Sequence, residues 1–155
     1  MTGQNRLLVN YLEESDLELI HSIVSKHWKE DGEPIPPFTT ANKENLDALI
    51  KTPKSYYFGF EQYSSLESKA AILFYTLNKK HIFLNGNKRL SVACLIIFLF
   101  INGKDLKTEP GEMTAKALEL AKTSHKHDFA TLKKDLESWI RKHLIDFDVT
   151  SLEKN

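Results

Sequence analysis

Ten consecutive apolar residues, VACLIIFLFI at positions 92–101, constrain this chain of 155 residues more than any other feature. A membrane span needs about 20 such residues, so the run is too short to cross a bilayer. It reads as the larger part of a helix from about Asn87 to Ile101, apolar around its circumference and expected to be buried on all sides. Asn102 and Gly103 supply its C-terminal stop. The rest of the chain must then provide apolar faces to cover it.

Such faces recur along the sequence. Leu17, Ile20, Val24 and Trp28 stand at helical spacing, so a helix is predicted to about Lys29. Ser15, with Glu18 three residues on, reads as its capping box, and residues 31–37, DGEPIPP, end it. A short helix from about Asn42 to Ile50 stops before Pro53. Residues 56–60, YYFGF, are aromatic and interrupted by Gly59, which suits an extended segment or hairpin. Ser64 and Glu67 read as a second capping box. Behind it, Leu66, Ala70, Leu73, Phe74 and Leu77 carry a helix to about Lys79. Met113, Ala117, Leu120 and Ala121 mark another. Asp128 can cap a last one, with the stripe Leu132, Leu136, Trp139, Ile140 and Leu144. Residues 146–155 are polar and expected to fray. Strand signals are otherwise nearly absent, so the expected fold is all-α, a single domain over residues 1–155 with one hairpin.

Composition narrows the function classes. Lys plus Arg total 21 and Asp plus Glu total 21, a formal net charge of zero. This argues against direct nucleic-acid binding or an anionic membrane surface as the main task, since both need a basic excess. The single Cys94 cannot form an internal disulfide, and no Cys/His zinc spacing is present. The first ten residues lack the charged start and apolar stretch of a signal peptide. A cytoplasmic location is the expectation.

The chemistry concentrates at residues 81–89, HIFLNGNKR, a polar loop running into the apolar helix. A helix start presents unpaired backbone N–H groups and the positive end of the dipole. Gly86 removes a side chain from the path of an approaching ligand. Lys88 and Arg89 place two cations in the first turn, where the dipole alone disfavours them; an anionic ligand, phosphate first, accounts for them better. His81 can take or give a proton near neutral pH. The bland alternative is a helix–loop–helix with a hydrogen-bonded histidine and a solvated cation pair.

At these letters the sequence resembles the Fic/Doc family, whose motif is H-x-F-x-[D/E]-G-N-[G/K]-R. His81, Phe83, Gly86, Asn87, Lys88 and Arg89 match it, each by chance about once in twenty. The likeness to the Doc (death-on-curing) branch extends over roughly residues 17–106. The resemblance implies a Fic/Doc-type helical bundle with a short β-hairpin flap before the motif helices. It implies roles as well. His81 is the general base toward a target hydroxyl, and Arg89 the second catalytic residue. Gly86, Asn87, Lys88 and Arg89 bind phosphates of ATP. Phe83 anchors the loop by packing. Tyr56, Tyr57, Phe58, Gly59 and Phe60 form the flap that aligns a target peptide.

Two departures choose among subtypes. Members that transfer AMP usually have Gly at the place of Lys88 and a second Arg at the place of Val92. Lys88 resembles the Doc branch, which implies transfer of the γ-phosphate of ATP to a Thr or Ser hydroxyl of elongation factor Tu, and a cognate antitoxin. Adenylyl transfer is the alternative. Asn85 stands where many relatives carry Asp or Glu for Mg²⁺; an amide oxygen can ligate a hard cation, though more weakly. That departure keeps open a catalytically silent binding module.

The other candidates are weaker. Thr40 to Asn45, TANKEN, fits the letters of the family's inhibitory [S/T]-x-x-x-E-[G/N] pattern but aligns better with a helix start inside the domain. His21, His27, His125, His127 and His143 lack comparable neighbours in sequence; His21 is expected half-buried or capped beside the first helix stripe. The aromatics at 56–60 suit a peptide-binding flap or simple packing. Cys94 reads as a small apolar residue.

Overall fold

The computed structural model describes residues 8–27, 34–123 and 128–147. Trp28, His125, His127 and the tail from 148 onward lie outside these. The described helices are α1 (Glu14–His27), α2 (Lys43–Lys51), α3 (Leu66–Lys79), α4 (Asn87–Phe100), α5 (Glu112–Lys122) and α6 (Phe129–His143). Strands β1 (Tyr56–Tyr57) and β2 (Phe60–Glu61) form the flap hairpin. Strands β3 (Lys104–Leu106) and β4 (Leu144–Asp146) form a second antiparallel pair. The architecture is all-α with a small hairpin, as the sequence implies.

The central helix is α3, not the more apolar α4. Eleven of its fourteen residues are buried, against seven of fourteen in α4. Helix α3 packs on α4, α5, α6 and α2, and Ala70 and Ala71, fully buried, let neighbours approach closely. Helix α4 buries Leu90, Cys94, Leu95, Phe98 and Leu99, but Ile96 and Phe100 remain 37% and 48% exposed. Burial on all sides is therefore corrected. Helix α1 covers the outer face of α4 only in part, through Ile20 and Val24.

The helix starts differ by one or two residues from expectation. Helix α1 begins at Glu14, so Ser15 lies inside its first turn. The reciprocal bond comes from the Glu13 N–H to the Asp16 carboxylate, 2.8 Å. At α3 the capping box is Ser65 with Ser68, not Ser64 with Glu67: each serine hydroxyl accepts the other's backbone N–H, at 3.0 and 3.1 Å. Asn42 and Asp128 cap α2 and α6 by accepting from Asn45 N and Ala130 N. At the far end of α4, the Asn102 amide donates to the carbonyls of Phe98 and Asn10 and accepts from Asn10 N. It thus ties the N-terminal approach to the end of α4.

The β3–β4 pair was not expected, and it corrects the start of the tail expected to fray at 146: Asp146 pairs with Lys104. Leu144, which continues the α6 stripe in sequence, ends the helix and pairs with Leu106. Phe147 N–H donates to Gly103 O, and its ring meets Phe100 edge-on at 4.7 Å.

Candidate functional site

Residues 80–89 pass from α3 to α4, and neighbouring elements fix their path. The Asn45 amide of α2 donates to Lys80 O at 2.6 Å, and Asn42 N donates to Ile82 O at 2.8 Å. Asn87, the first residue of α4, spends its side chain on the loop itself: its amide accepts from Phe83 N at 3.1 Å and donates to Phe83 O at 2.7 Å. Both polar groups of one peptide position are thereby satisfied by one buried amide, which closes the loop into a ring. Leu84 is left at the tip, 95% exposed.

Phe83 is buried as the packing anchor. Its ring lies 5.0 Å from that of His21 and 6.0 Å from that of Phe38. His21, set aside on sequence grounds, is a supporting residue of the site. It is buried on α1 and its Nε2 donates to Pro36 O at 2.8 Å, which holds the 34–37 segment against the loop. Ile35 of that segment explains Gly86. A Cβ at Gly86 would stand 2.6 Å from Ile35 Cγ1, and the φ of +85° is a conformation L side chains rarely adopt. Gly86 is thus required by packing and by the backbone, whatever approaches the loop. The single shared signal in sequence is the motif glycine; nothing in the letters pairs it with Ile35.

Two cavities flank the loop. One, of about 540 Å³, is lined by His81, Asn85, Gly86, Asn87, Lys88 and Arg89 from the motif and by Asn78, Lys79, Ala121 and Thr123 from α3 and the end of α5. The structure brings His81, Gly86, Asn87, Lys88 and Arg89 together there; Phe83 is turned away from it. Helix α4 opens with no side-chain cap from Gly86 and no acid in its first turn, so its positive end and the two cations share this wall. The second cavity, of about 500 Å³, is lined by Thr40, Asn42, Ile82 and Phe83. His81 and Leu84 line both. His81 is exposed and holds a left-handed φ of 50°, uncommon for a non-glycine residue.

Asn85 keeps its Oδ1 buried with no hydrogen-bond partner. Among the described residues no group of three or more His, Cys, Asp or Glu side chains could hold a metal. The donor set therefore fits a cation held weakly through a neutral oxygen. Val92, at the place of a second arginine, packs against the core. Cys94 is fully buried, and burial pushes its thiol up to about 12, which makes it no nucleophile.

The flap residues do not line the His81 cavity. Tyr56, Tyr57, Phe58 and Phe60 are 57–87% exposed, so they do not pack into the core; within the flap, the Tyr57 and Phe58 rings meet edge-on at 4.6 Å. Phe58 and Gly59 both have positive φ, 51° and 82°, the two central residues of a primed hairpin turn. The feet of the hairpin are held by Lys69, buried on α3, whose Nζ donates to Tyr63 O at 2.6 Å and Pro53 O at 3.1 Å. A cleft of about 460 Å³ runs between these feet and the motif loop, lined by Thr52 and Tyr63 on one side and Lys80 on the other. Glu44 of the inhibitory-like pattern lines this cleft and not the His81 cavity, and Asn42 and Asn45 serve the loop path instead.

Comparison with known proteins agrees with this geometry. A family model described as "Fic/DOC family" matches residues 11–99, the stretch from before α1 through most of α4; α5 and α6 fall outside it. The chain is also similar to "Toxin Doc" of Mycolicibacterium smegmatis (strain ATCC 700084 / mc(2)155), 38% identical over 64 residues, which cover 41% of this chain and 49% of that protein. The chain thus spans about half the length of the curated relative it matches. No solved structure matches.

Proposed function

The chain belongs to the Fic/Doc family, and from that premise we propose that it is a Doc-type toxin that transfers the γ-phosphate of ATP to a Thr or Ser hydroxyl of a translation factor such as elongation factor Tu. The observation that carries this reading is the position of His81 on the wall of two cavities at once. One cavity has the cations and helix start that suit phosphates; the other leaves room for a target side chain.

The reaction follows from that division. The target hydroxyl oxygen bonds to the γ-phosphorus while its proton passes to a ring nitrogen of His81. The bond from that phosphorus to its bridging oxygen breaks, and ADP leaves. Arg89 and Lys88 offset the charge that spreads over the phosphoryl oxygens. Asn87 acts one step back, because its amide fixes the loop at Phe83. Asn85 Oδ1 would face Mg²⁺ brought by the nucleotide, a cation that screens phosphate charge. The exposed flap strands offer unpaired edges to an extended target segment.

Lys88 on the cavity wall, with Val92 packed inward, favours phosphoryl over adenylyl transfer. A disordered antitoxin segment that folds onto the toxin is the proposed partner. Incubation with labelled ATP and elongation factor Tu tests the reaction. Label from the γ position is expected on the factor and is lost with His81→Ala; label from the α position would sink the phosphotransferase assignment. The absence of a carboxylate at position 85 supports a second reading, a silent binding module. That reading predicts no transfer by the natural chain and transfer by Asn85→Asp.

A further inference from the structure

Helix α1 leaves apolar side chains in water. Leu19 and Ile23, one turn apart on it, are 62% and 57% exposed, and Ile96 and Phe100, one turn apart on α4, are 37% and 48% exposed. Single exposed apolar residues are ordinary on a protein surface, but Ile23 and Ile96 line one groove. It is apolar, of about 310 Å³, with Ile20, Ile23 and Val24 on the α1 side and Ala93, Ile96 and Ile97 on the α4 side. None of these residues lines either cavity beside His81. A contiguous apolar face away from the reactive loop marks a surface for another macromolecule.

The spacing on α1 identifies the partner. Asp16, Leu19, Ile23 and Lys26 stand at intervals of three, four and three residues, which puts them on one stripe of the helix, and all four are exposed. The stripe reads the same in both directions about position 21, except that an acid stands at one end and a base at the other. Laid antiparallel against its own copy, it sets Leu19 against Ile23 of the second copy, and Asp16 against Lys26 of the second copy, twice over. A parallel arrangement would set acid against acid and base against base. Antiparallel helices also bring opposite ends of their dipoles together. With one acid and one base, the stripe offers nothing to an anionic membrane or to nucleic acid.

We infer that the α1–α4 face is a self-association surface, an isologous two-fold contact in which the α1 stripes of two copies run antiparallel. Ile23 belongs to both the stripe and the groove, so α4 widens the apolar contact through Ile96. The charged ends set the register rather than the strength, since exposed ion pairs add little. No residue of the His81 cavities takes part, so the contact stands or falls apart from the transfer reaction.

Sedimentation equilibrium of the full chain from about 5 to 200 μM tests the contact, with a dimer expected at a dissociation constant of about 1–50 μM for an apolar face of this modest size. Ile23→Glu, at an exposed position, should weaken association at least about tenfold while the circular dichroism of the chain stays unchanged. Lys26→Glu opposes two acids at each end and should weaken it about three- to tenfold at low salt. Adding Asp16→Asn, which keeps an acceptor for Glu13 N–H, should restore most of that loss. Thiol coupling reads the register: chains carrying Leu19→Cys should cross-link to chains carrying Ile23→Cys faster than either does to itself, Cys94 being buried. A monomer across the whole concentration range overturns the contact and leaves the face to a partner of another kind, such as an antitoxin segment. A dimer untouched by Ile23→Glu associates through some other surface and overturns it too. Faster coupling of position 19 to itself overturns the antiparallel register.

Discussion

Single atoms account for much of the motif. Gly86 carries two separable demands, a left-handed backbone and clearance for Ile35. Gly86→Ala should lower unfolding free energy by about 2–4 kcal/mol, from a φ cost of about 1–2 kcal/mol plus the clash. Trimming the neighbour with Ile35→Ala in the same chain should recover the clash and not the φ cost; urea titration of the three variants checks this. Asn87 gives a sharper contrast. Asn87→Asp keeps the acceptor for Phe83 N and loses the donor to Phe83 O, so it sets two oxygens together. It should destabilise by about 1–3 kcal/mol and reduce transfer. Full activity in Asn87→Asp would contradict the ring-closing role.

Cys94 shows how a residue without chemistry still leaves a pH signature. Burial moves its thiol from 9.0 to about 12, so above pH 9 the unfolded chain loses a proton that the folded chain keeps. Stability then falls as pH rises, by up to about 1.4 kcal/mol per pH unit between those values. Tyr63, raised by burial and then by Glu137, acts in the same direction at higher pH. The stability advantage of the wild type over Cys94→Ala should hold steady below pH 8.5 and shrink by about 1 kcal/mol at pH 10. An unchanged difference across that range would refute the buried, neutral thiol.

At the scale of elements, Lys69 is the joint between core and flap. One buried ammonium holds the carbonyls at both feet of the hairpin and lies 3.5 Å from Glu61. Lys69→Met keeps the length and apolar stem but frees both carbonyls, for a net loss of about 1–3 kcal/mol. The Gln62 amide, bonded to Ser55 O, should exchange with solvent faster in the variant while α4 amides do not. Sequence reading located the hairpin from YYFGF and the motif from HIFLNGNKR, because both signals are local. It misplaced the α3 cap because Ser64 and Ser65 offer the same hydroxyl, and only the helix register chooses between them. It missed β3–β4 because Leu106 and Leu144 meet across a sequence gap that no local pattern spans, and Leu144 also fits the preceding helical stripe. His21 and Lys69 were illegible for a related reason. Their partners are backbone carbonyls, at Pro36, Pro53 and Tyr63, which look alike in every sequence.

The whole molecule is organised around α3 rather than around its most apolar helix. Apolarity marked α4 for burial, yet location in the bundle gave α3 more neighbours, and α3 could accept buried Ser68, Lys69, Thr76 and Asn78 because each has bonding groups nearby or a cavity to face. Among the described residues no helix is long and apolar enough to cross a membrane. The last three residues of the α3 path divide the labour of the site: Asn78 and Lys79 grip the end of α5, and Lys80 is gripped by Asn45. One wall of the cavity thus comes from residues 11–99, shared with the family, and another from α5 beyond them. The motif loop lies inside the residues that match the family, and the cavity's second wall lies partly beyond them. On the proposed function, a chimera that exchanges residues 107–147 with those of a relative should keep His81 and the cations of the motif loop while changing what the cavity admits, so selection can retune diet without touching the teeth.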